Sequence, residues 1–199
     1  MSAITKNLKP LWEQLTLPII HTLEKFNIHP NSLTILGIVL TALAVPLLAK
    51  GHFFWGGILV LLGGICDALD GHLARTTNKV SKFGALLDST LDRIGDFLPL
   101  FGLALYFAEK LLWLAVVLLN ILFWFLVSYV KARMEGLGVK THIGGLFERP
   151  ERFAVLISFL LLGWVELGLF ITLIGSFITF LQRLWKGWKE LNFGANPIP

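Results

Sequence analysis

The sequence predicts an all-α integral membrane protein with six transmembrane helices and an N-terminal amphipathic helix at the membrane interface. Three observations support this fold class. Apolar residues make up 55% of the 199 residues and charged residues only 15%, and a mean hydropathy of +0.74 is too high for a soluble domain. Apolar stretches of about 20 residues, the length that crosses a bilayer, recur along the chain. Basic residues concentrate in alternate connections between these stretches.

The first 28 residues are predicted to form the amphipathic juxtamembrane helix. Apolar residues such as Leu11 and Trp12 stand there among charged ones, a mixture typical of helices that lie along a membrane surface. Pro18 is expected to bend this helix. Glu13 and Glu24 interrupt the apolar residues, so a cleavable signal peptide is not expected.

The transmembrane core is predicted over residues 30–186, within a single domain that takes in the whole chain, 1–199. Most spans reach the ~20 residues that cross the hydrocarbon layer, whereas the fifth is short and needs shelter from its neighbours. As an alternative, the fifth and sixth spans merge into a single helix over 153–180, which would give five spans in all. The six predicted spans are 32–49, 53–75, 83–107, 111–133, 151–164 and 167–184.

The distribution of basic residues favours six spans and orients them in the cytoplasmic membrane. With the N-terminus inside, only Lys50 and Lys110 fall in outer connections, and Arg93 lies within a span. Five spans would separate the basic cluster at 183–189 from the others, against the positive-inside rule. Both termini, and the end of the bundle near Arg75, are therefore expected to face the cytoplasm.

All five aspartates of the chain fall within residues 67–96, inside the second and third predicted spans. A carboxylate in hydrocarbon is costly, so acids within a span indicate a functional site. On each helix the acids and small residues share one face, since they recur at intervals of three or four. The second span carries Asp67, Asp70, Gly71 and Ala74, and the third carries Gly84, Asp88, Asp92 and Asp96.

The predicted turn near Lys79 and Val80 brings the two acidic faces together. Asp70 and Asp88 are each nine residues from Lys79, so an antiparallel helical pair places them at one depth. Ionised carboxylates so close repel one another, and divalent cations relieve the repulsion. Carboxylate oxygens suit Mg²⁺, Mn²⁺ or Ca²⁺, and bridging aspartates can hold two such ions about 3.5–4 Å apart.

Small residues and one arginine border the acidic faces. Gly71 and Gly84 lower helix stability by roughly 1 kcal/mol each relative to alanine. Two such residues beside the acids indicate that a bulky ligand approaches the helix backbone closely. Packing of one helix on another is the alternative explanation for each glycine. Arg75, at the mouth of the predicted site, is placed to meet a phosphate.

These residues together resemble the signature of the CDP-alcohol phosphotransferases. The chain reads Asp67-x-x-Asp70-Gly71-x-x-Ala74-Arg75, then eight residues, then Gly84-x-x-x-Asp88-x-x-x-Asp92. The resemblance implies an enzyme that transfers a phosphatidyl-type group from a CDP-linked lipid to an alcohol and releases CMP. It also implies a homodimer in the bilayer and no nucleic-acid partner.

The resemblance further implies a role for each residue of the pattern. Asp67, Asp70, Asp88 and Asp92 would bind two Mg²⁺ or Mn²⁺ ions, Asp67 and Asp88 serving both, and Asp92 would be the base that takes the proton of the acceptor hydroxyl. A Pro-Asn-x-x-Thr element at the start of the first span would join the nucleotide site, although a plain helix start explains it equally. The implied CDP-binding residues are Pro30, Asn31, Thr34, Asp67, Gly71, Ala74, Arg75 and Gly84.

Three stretches resemble the branch of the family that uses inositol phosphate, the phosphatidylinositol-phosphate and archaetidylinositol-phosphate synthases. They are 87–93, 128–135 and 148–152. A phosphorylated acceptor needs a basic pocket, which Lys131, Arg133, Arg149 and Arg152 are predicted to form. Ordinary positive-inside anchoring is the alternative for each of these four. Glycerol 3-phosphate is the alternative acceptor, and a divalent cation transporter is the alternative of another class.

Overall fold

The structure is a computed structural model that describes residues 3–77, 81–139 and 144–193. Within these ranges it is all helical, as predicted, with seven α-helices. The turn predicted near Lys79 and Val80 lies outside the described residues. The helices are α1 (Ala3–Lys25), α2 (Pro30–Ala49), α3 (Phe53–Thr76), α4 (Lys82–Tyr106), α5 (Leu111–Gly136), α6 (Arg149–Leu162) and α7 (Val165–Phe193).

Four of the helices, α2, α3, α5 and α7, are long and apolar enough to cross a membrane. Helix α4 has the length but carries Asp88, Asp92, Arg93 and Asp96, and α6 has only 14 residues. The last two predicted spans are separate helices, because Gly163 adopts the left-handed conformation that ends α6 (φ 76°). The alternative of one helix over 153–180 is therefore wrong.

Helix α1 packs against α3 with a mixed apolar and polar face. Ile20 is fully buried, and Thr16 lies 2.9 Å from the Nδ1 atom of His72 on α3. Leu11, Leu15 and Ile19 are exposed and recur every four residues, so they form one outward apolar stripe. The helix is continuous through Pro18, with no break at the predicted bend.

Close contact between α2 and α3 fixes the position of the first residues of α2. A Cβ atom on Gly37 would lie 2.9 Å from the carbonyl oxygen of Gly63, so only glycine permits this approach. Helix α2 also packs along α4. As a result, Pro30 and Thr34 lie beside the acidic ends of α3 and α4, which we call the site end of the bundle.

The opposite half of the bundle holds the main apolar core, which includes Leu48, Val60, Leu100 and Leu103. One polar seam crosses this half, where the fully buried Asn120 of α5 donates to the Leu169 carbonyl of α7 at 3.0 Å. Thr172 donates to the Asn120 side-chain oxygen at 2.9 Å. These bonds satisfy the buried amide and fix α5 against α7.

Residues 144–148 descend along α7 without forming a helix. The side chain of Lys186 donates to the Gly144 carbonyl, Leu146 N–H donates to Gln182 at 3.0 Å, and Phe147 N–H donates to the Thr179 hydroxyl at 2.8 Å. The partners on α7 lie successively deeper, so α6 begins well below the end of α3. Side chains of α7 thus supply the hydrogen bonds that this non-helical backbone cannot make within itself.

Candidate active site

The acidic faces of α3 and α4 meet at the site end. Asp67, Asp70 and Asp88 each offer a carboxylate oxygen within 4.8 Å of the other two. Asp70 is only 5% exposed, and its Oδ2 atom is buried without a hydrogen bond from the described residues. A cluster of three carboxylates with an unsatisfied buried oxygen fits a hard divalent cation, which prefers oxygen ligands.

A cavity of about 190 Å³ opens beside this cluster, between α2, α3 and α4. The predicted nucleotide residues converge on it, although they come from three helices and are separated by up to 54 positions. Ser81 and Ala85 also line it and were not singled out from the sequence. Ser81 caps α4 by accepting the Gly84 N–H at 2.9 Å. The cavity is lined by Pro30, Asn31, Thr34, Asp70, Gly71, Ala74, Arg75, Gly84 and Asp88 together with those two.

Asp67, the remaining residue of the predicted nucleotide set, faces a second cavity of about 190 Å³. This cavity is largely apolar, with Ile38 and Phe153 in its wall, and Arg149 also borders it. Asp67 therefore lies between the two cavities, on the boundary of the nucleotide residues.

Arg75, at the mouth of the first cavity, forms an ion pair with a residue of α1. Its Nη2 atom lies 3.2 Å from the Oε1 atom of Glu13 on α1. Both side chains are partly exposed, at 51% for Arg75 and 34% for Glu13, so the pair is screened by solvent. No sequence pattern indicates this contact, since 62 residues separate the partners.

Arg149 lies inside the acidic layer, although the sequence placed it in a pocket for the acceptor. Its Nη1 atom lies 2.6 Å from Asp67 Oδ2 and 2.8 Å from Asp92 Oδ1, and its Nε atom lies 2.9 Å from Asp96 Oδ1. The guanidinium thus joins three carboxylates from α3 and α4. Asp92, the predicted base, is held in this group.

Arg152 is 1% exposed and lies one turn along α6 from Arg149. It donates to the Trp124 carbonyl at 3.1 Å, and its guanidinium lies 4.9 Å from the centre of the Trp124 ring. Its Nη2 atom is 3.9 Å from Asp96 Oδ2, and Arg93 lies 3.5 Å from the same oxygen. Asp96, whose role the sequence left open, therefore contacts three arginines and anchors them.

The other two basic residues predicted for the acceptor lie on the last turns of α5. Lys131 is exposed and lies 3.9 Å from Glu135, and Arg133 is exposed. Among the described residues, neither Lys131 nor Arg133 contacts Arg149 or Arg152.

Arg183 of α7 was not singled out from the sequence. It is buried between α5 and the start of α6, where it donates to the Val127 carbonyl and lies 3.7 Å from Glu148.

This chain is similar to known proteins in both sequence and fold. The archaetidylinositol phosphate synthase of Pyrococcus horikoshii is 40% identical over 173 residues, which cover 87% of this chain and 90% of that protein. The phosphatidylinositol phosphate synthase of Mycobacterium tuberculosis, in a crystal structure with CDP-DAG bound, matches with a TM-score of 0.82 and 28% identity over 94% of this chain and 99% of its own. A crystal structure of the same mycobacterial enzyme with manganese and citrate matches with a TM-score of 0.81 and 29% identity, over 92% of this chain and 93% of its own.

Residues 27–182 also match the family model for CDP-alcohol phosphatidyltransferase. This range contains the acidic cluster, the cavity beside it and the arginines of α6. The resemblance found in the sequence is thereby confirmed, and the transporter alternative is set aside. The chain belongs to the CDP-alcohol phosphatidyltransferase family.

Proposed function

We propose that this enzyme transfers a phosphatidyl-type group from a CDP-linked lipid, CDP-diacylglycerol or CDP-archaeol, to inositol phosphate and releases CMP. One observation carries the proposal: the cavity between α2, α3 and α4 joins the nucleotide residues of three helices to the carboxylate cluster. The acceptor is proposed from the relatives, whose names are archaetidylinositol phosphate synthase and phosphatidylinositol phosphate synthase.

The donor nucleotide binds in that cavity. Gly71 leaves the backbone open to the ligand, since a Cβ atom there would meet only the flexible end of Arg75 at 3.4 Å. Gly84 is more closely packed, because a Cβ atom there would lie 3.0 Å from the Ser81 hydroxyl. Arg75 pairs with a donor phosphate through its guanidinium fork. Asn31 and Thr34 contribute polar groups from the first turns of α2, where Pro30 is preorganised for the first helical position.

Asp67, Asp70, Asp88 and Asp92 hold two divalent ions, Mg²⁺ or Mn²⁺. The hard oxygen donors and the unsatisfied Asp70 oxygen support this role, and a neighbour of the same fold contains manganese. Bound ions supply positive charge that polarises the donor pyrophosphate and stabilises the departing CMP. The carboxylates fix the reacting groups at the boundary between the two cavities.

Asp92 accepts the proton of the acceptor hydroxyl. The hydroxyl oxygen then bonds to the lipid-bearing phosphorus, the bond from this phosphorus to the oxygen shared with the CMP phosphate breaks, and CMP leaves with that oxygen. Before ions bind, Arg149 holds Asp92 through the 2.8 Å contact, which keeps the carboxylate that later serves as the base in position.

Of the basic residues predicted for the acceptor phosphate, Arg149 binds it, because this side chain borders the cavity beside Asp67. Arg152 is buried against Trp124 and Asp96, and Lys131 and Arg133 are exposed on the last turns of α5, so these three have no direct contact with the phosphate in this proposal.

The membrane arrangement follows from the same site. Helices α2 to α7 cross the cytoplasmic membrane, α1 lies along its surface, and the site end and both termini face the cytoplasm, where CDP and sugar phosphates are dissolved. Charge on α4 is concentrated at its site end, and α6 is sheltered by α3 and α7, which supports a spanning role for both. The enzyme works as a homodimer.

A reconstituted assay tests the function. Purified protein receives CDP-diacylglycerol or CDP-archaeol with myo-inositol 1-phosphate, glycerol 3-phosphate or free inositol, with Mg²⁺ or with chelator. CMP release and a new phospholipid are expected only with inositol phosphate and Mg²⁺. CMP release with glycerol 3-phosphate but not with inositol phosphate would identify glycerol 3-phosphate as the acceptor. CMP release in chelator would contradict the role of the metal. CMP release with no acceptor would contradict the transfer reaction.

A further inference from the structure

Arg149 is the only cation that the described residues place directly between Asp67 and Asp92. Its Nη1 atom bonds one oxygen of each, at 2.6 and 2.8 Å, and its Nε atom bonds Asp96. By contrast, no ion pair within 4.0 Å joins Asp70 or Asp88 to a basic side chain in the described ranges. Among the described residues, one side of the acidic layer therefore already holds a basic side chain, and the other side holds none.

We propose that Arg149 is an internal counter-cation, a positive side chain that occupies the Asp67–Asp92 side of the acidic layer until a divalent ion displaces it. This inference rests on the proposed two-ion function. It deepens that function by making the two ions unequal: the first enters beside Asp70 and Asp88 without competition, and the second must move a guanidinium group.

The competition follows from the shared oxygen atoms. Asp67 and Asp92 would hold a divalent ion through their carboxylate oxygens, which Mg²⁺ needs at roughly 2.0–2.1 Å, and Nη1 of Arg149 already lies within hydrogen-bond distance of one oxygen of each. A divalent ion and a guanidinium nitrogen between the same two oxygens would also repel each other, since solvent screens only part of the charge in this half-buried group. Only one of the two cations can hold this pair of oxygens.

Arg149 has a place to remain after it is displaced. Its Nε bond to Asp96 uses a carboxylate outside the four proposed metal ligands, and its guanidinium lies 5.2 Å from the centre of the Phe153 ring. The bond to Asp96 acts as a pivot, so ion entry frees Nη1 without ejecting the side chain. The freed N–H groups then point to a new acceptor of hydrogen bonds, and the phosphate of the second substrate fits this role.

Direct binding of Mn²⁺ in the absence of substrates tests the proposal. Free Mn²⁺ is counted by electron paramagnetic resonance in titrations of the wild type, of Arg149→Gln and of the charge-matched control Lys110→Gln, which lies at the other end of the bundle and pairs with Glu166. The wild type is expected to bind one ion tightly and a second weakly. In Arg149→Gln the weaker affinity should rise on the order of tenfold or more, because the competing charge is gone, while Lys110→Gln should match the wild type.

Thermal unfolding supplies a second readout. In chelator, Arg149→Gln should unfold at a lower temperature than the wild type, because Asp67, Asp92 and Asp96 lose their shared cation, and Mn²⁺ should stabilise the variant more than the wild type. If Arg149→Gln cannot be purified, Arg149→Lys keeps the charge but loses the planar fork and should give an intermediate second affinity.

Several results would overturn the proposal. A second Mn²⁺ affinity that falls or stays unchanged in both Arg149 variants would mean that the arginine supports bound metal or does not meet it. A single Mn²⁺ site in both wild type and Arg149→Gln would also contradict it. Because the titrations contain no donor or acceptor, a wild type that binds Mn²⁺ as expected but releases no CMP would overturn the proposed function alone.

Discussion

The two sides of the acidic layer contrast in how their charge is balanced. On the proposed donor side, Asp70 and Asp88 border the first cavity and have no paired arginine among the described contacts. On the proposed acceptor side, Asp92 and Asp96 are joined to Arg149, with Asp67 shared between the sides. The signature residues are thus not one uniform cluster, because among the described residues only the second group shares a basic side chain.

The largest effect is expected from Asp70→Asn on the donor side. This change removes a buried carboxylate from the cluster, and we expect kcat/KM to fall by roughly 10⁴-fold, because bound metal supplies several kcal/mol of stabilisation. Donor binding and the tight Mn²⁺ site should be lost together. Retained CDP-lipid binding, measured on protein with a normal unfolding transition, would contradict the assignment of this side to the donor.

Asp92→Asn probes the acceptor side and should separate turnover from donor binding. Removal of a general base lowers kcat by about 10³-fold, whereas the cavity that holds the nucleotide does not include this residue. Equilibrium binding of CDP-lipid should therefore remain close to that of the wild type. Equal loss of turnover and donor binding would instead assign Asp92 to metal binding without base catalysis.

Gly71→Val tests the donor cavity without changing charge. The new side chain has room in the protein, since its Cβ would meet only Arg75 at 3.4 Å, but it fills space proposed for the nucleotide. We expect KM for the CDP-lipid to rise about tenfold to hundredfold, the usual scale for a misfit in a pocket, with Mn²⁺ binding unchanged. Gly136→Val is the control, because a Cβ atom there meets nothing within 4 Å; similar kinetics in both variants would exclude the cavity as the donor site.

Glu13→Gln should have the smallest effect. Its ion pair with Arg75 is partly exposed, and pairs of this kind contribute about 0.2–1 kcal/mol. KM for the donor should change by no more than about fivefold, and the difference from wild type should vanish at high salt. Glu24→Gln on the same helix is the matched control; an equal change there would show a general effect of charge on α1 and no specific hold on Arg75.

Local pattern was enough to predict which residues gather around the first cavity. The spacing of Asp67, Asp70 and Gly71 places them on one face of a helix, and α4 begins only a few residues after α3 ends, so the contacts between these two helices are between neighbours in sequence. The start of α2 lies beside these residues because α2 and α3 are in close contact at Gly37 and Gly63. The resemblance to the family added the nucleotide role of that start, which an N-terminal helix signal alone does not reveal.

The acceptor side could not be predicted in the same way. Arg149 is 82 residues from Asp67 and 53 from Asp96, and a basic residue at a helix start is equally consistent with membrane anchoring. Its depth depends on the descent of residues 144–148, which side chains of α7 hold in a non-helical conformation. The sequence of such a segment shows no helix or strand periodicity, because its backbone hydrogen bonds are made to side chains of another helix.

The shortness of α6 has a consequence for how two unlike reactants meet. Helix α3 continues nine residues past Asp67 to Thr76, roughly 14 Å at 1.5 Å per residue, whereas α6 starts beside Asp67 at Arg149. Helix α6 therefore does not cover the last turns of α3 at this corner, and Asp67 and Arg149 keep 28% and 24% of their side-chain surface exposed. In the proposed reaction, an acceptor that does not dissolve in lipid would reach the carboxylates from this corner, while the tails of the donor stay in the bilayer.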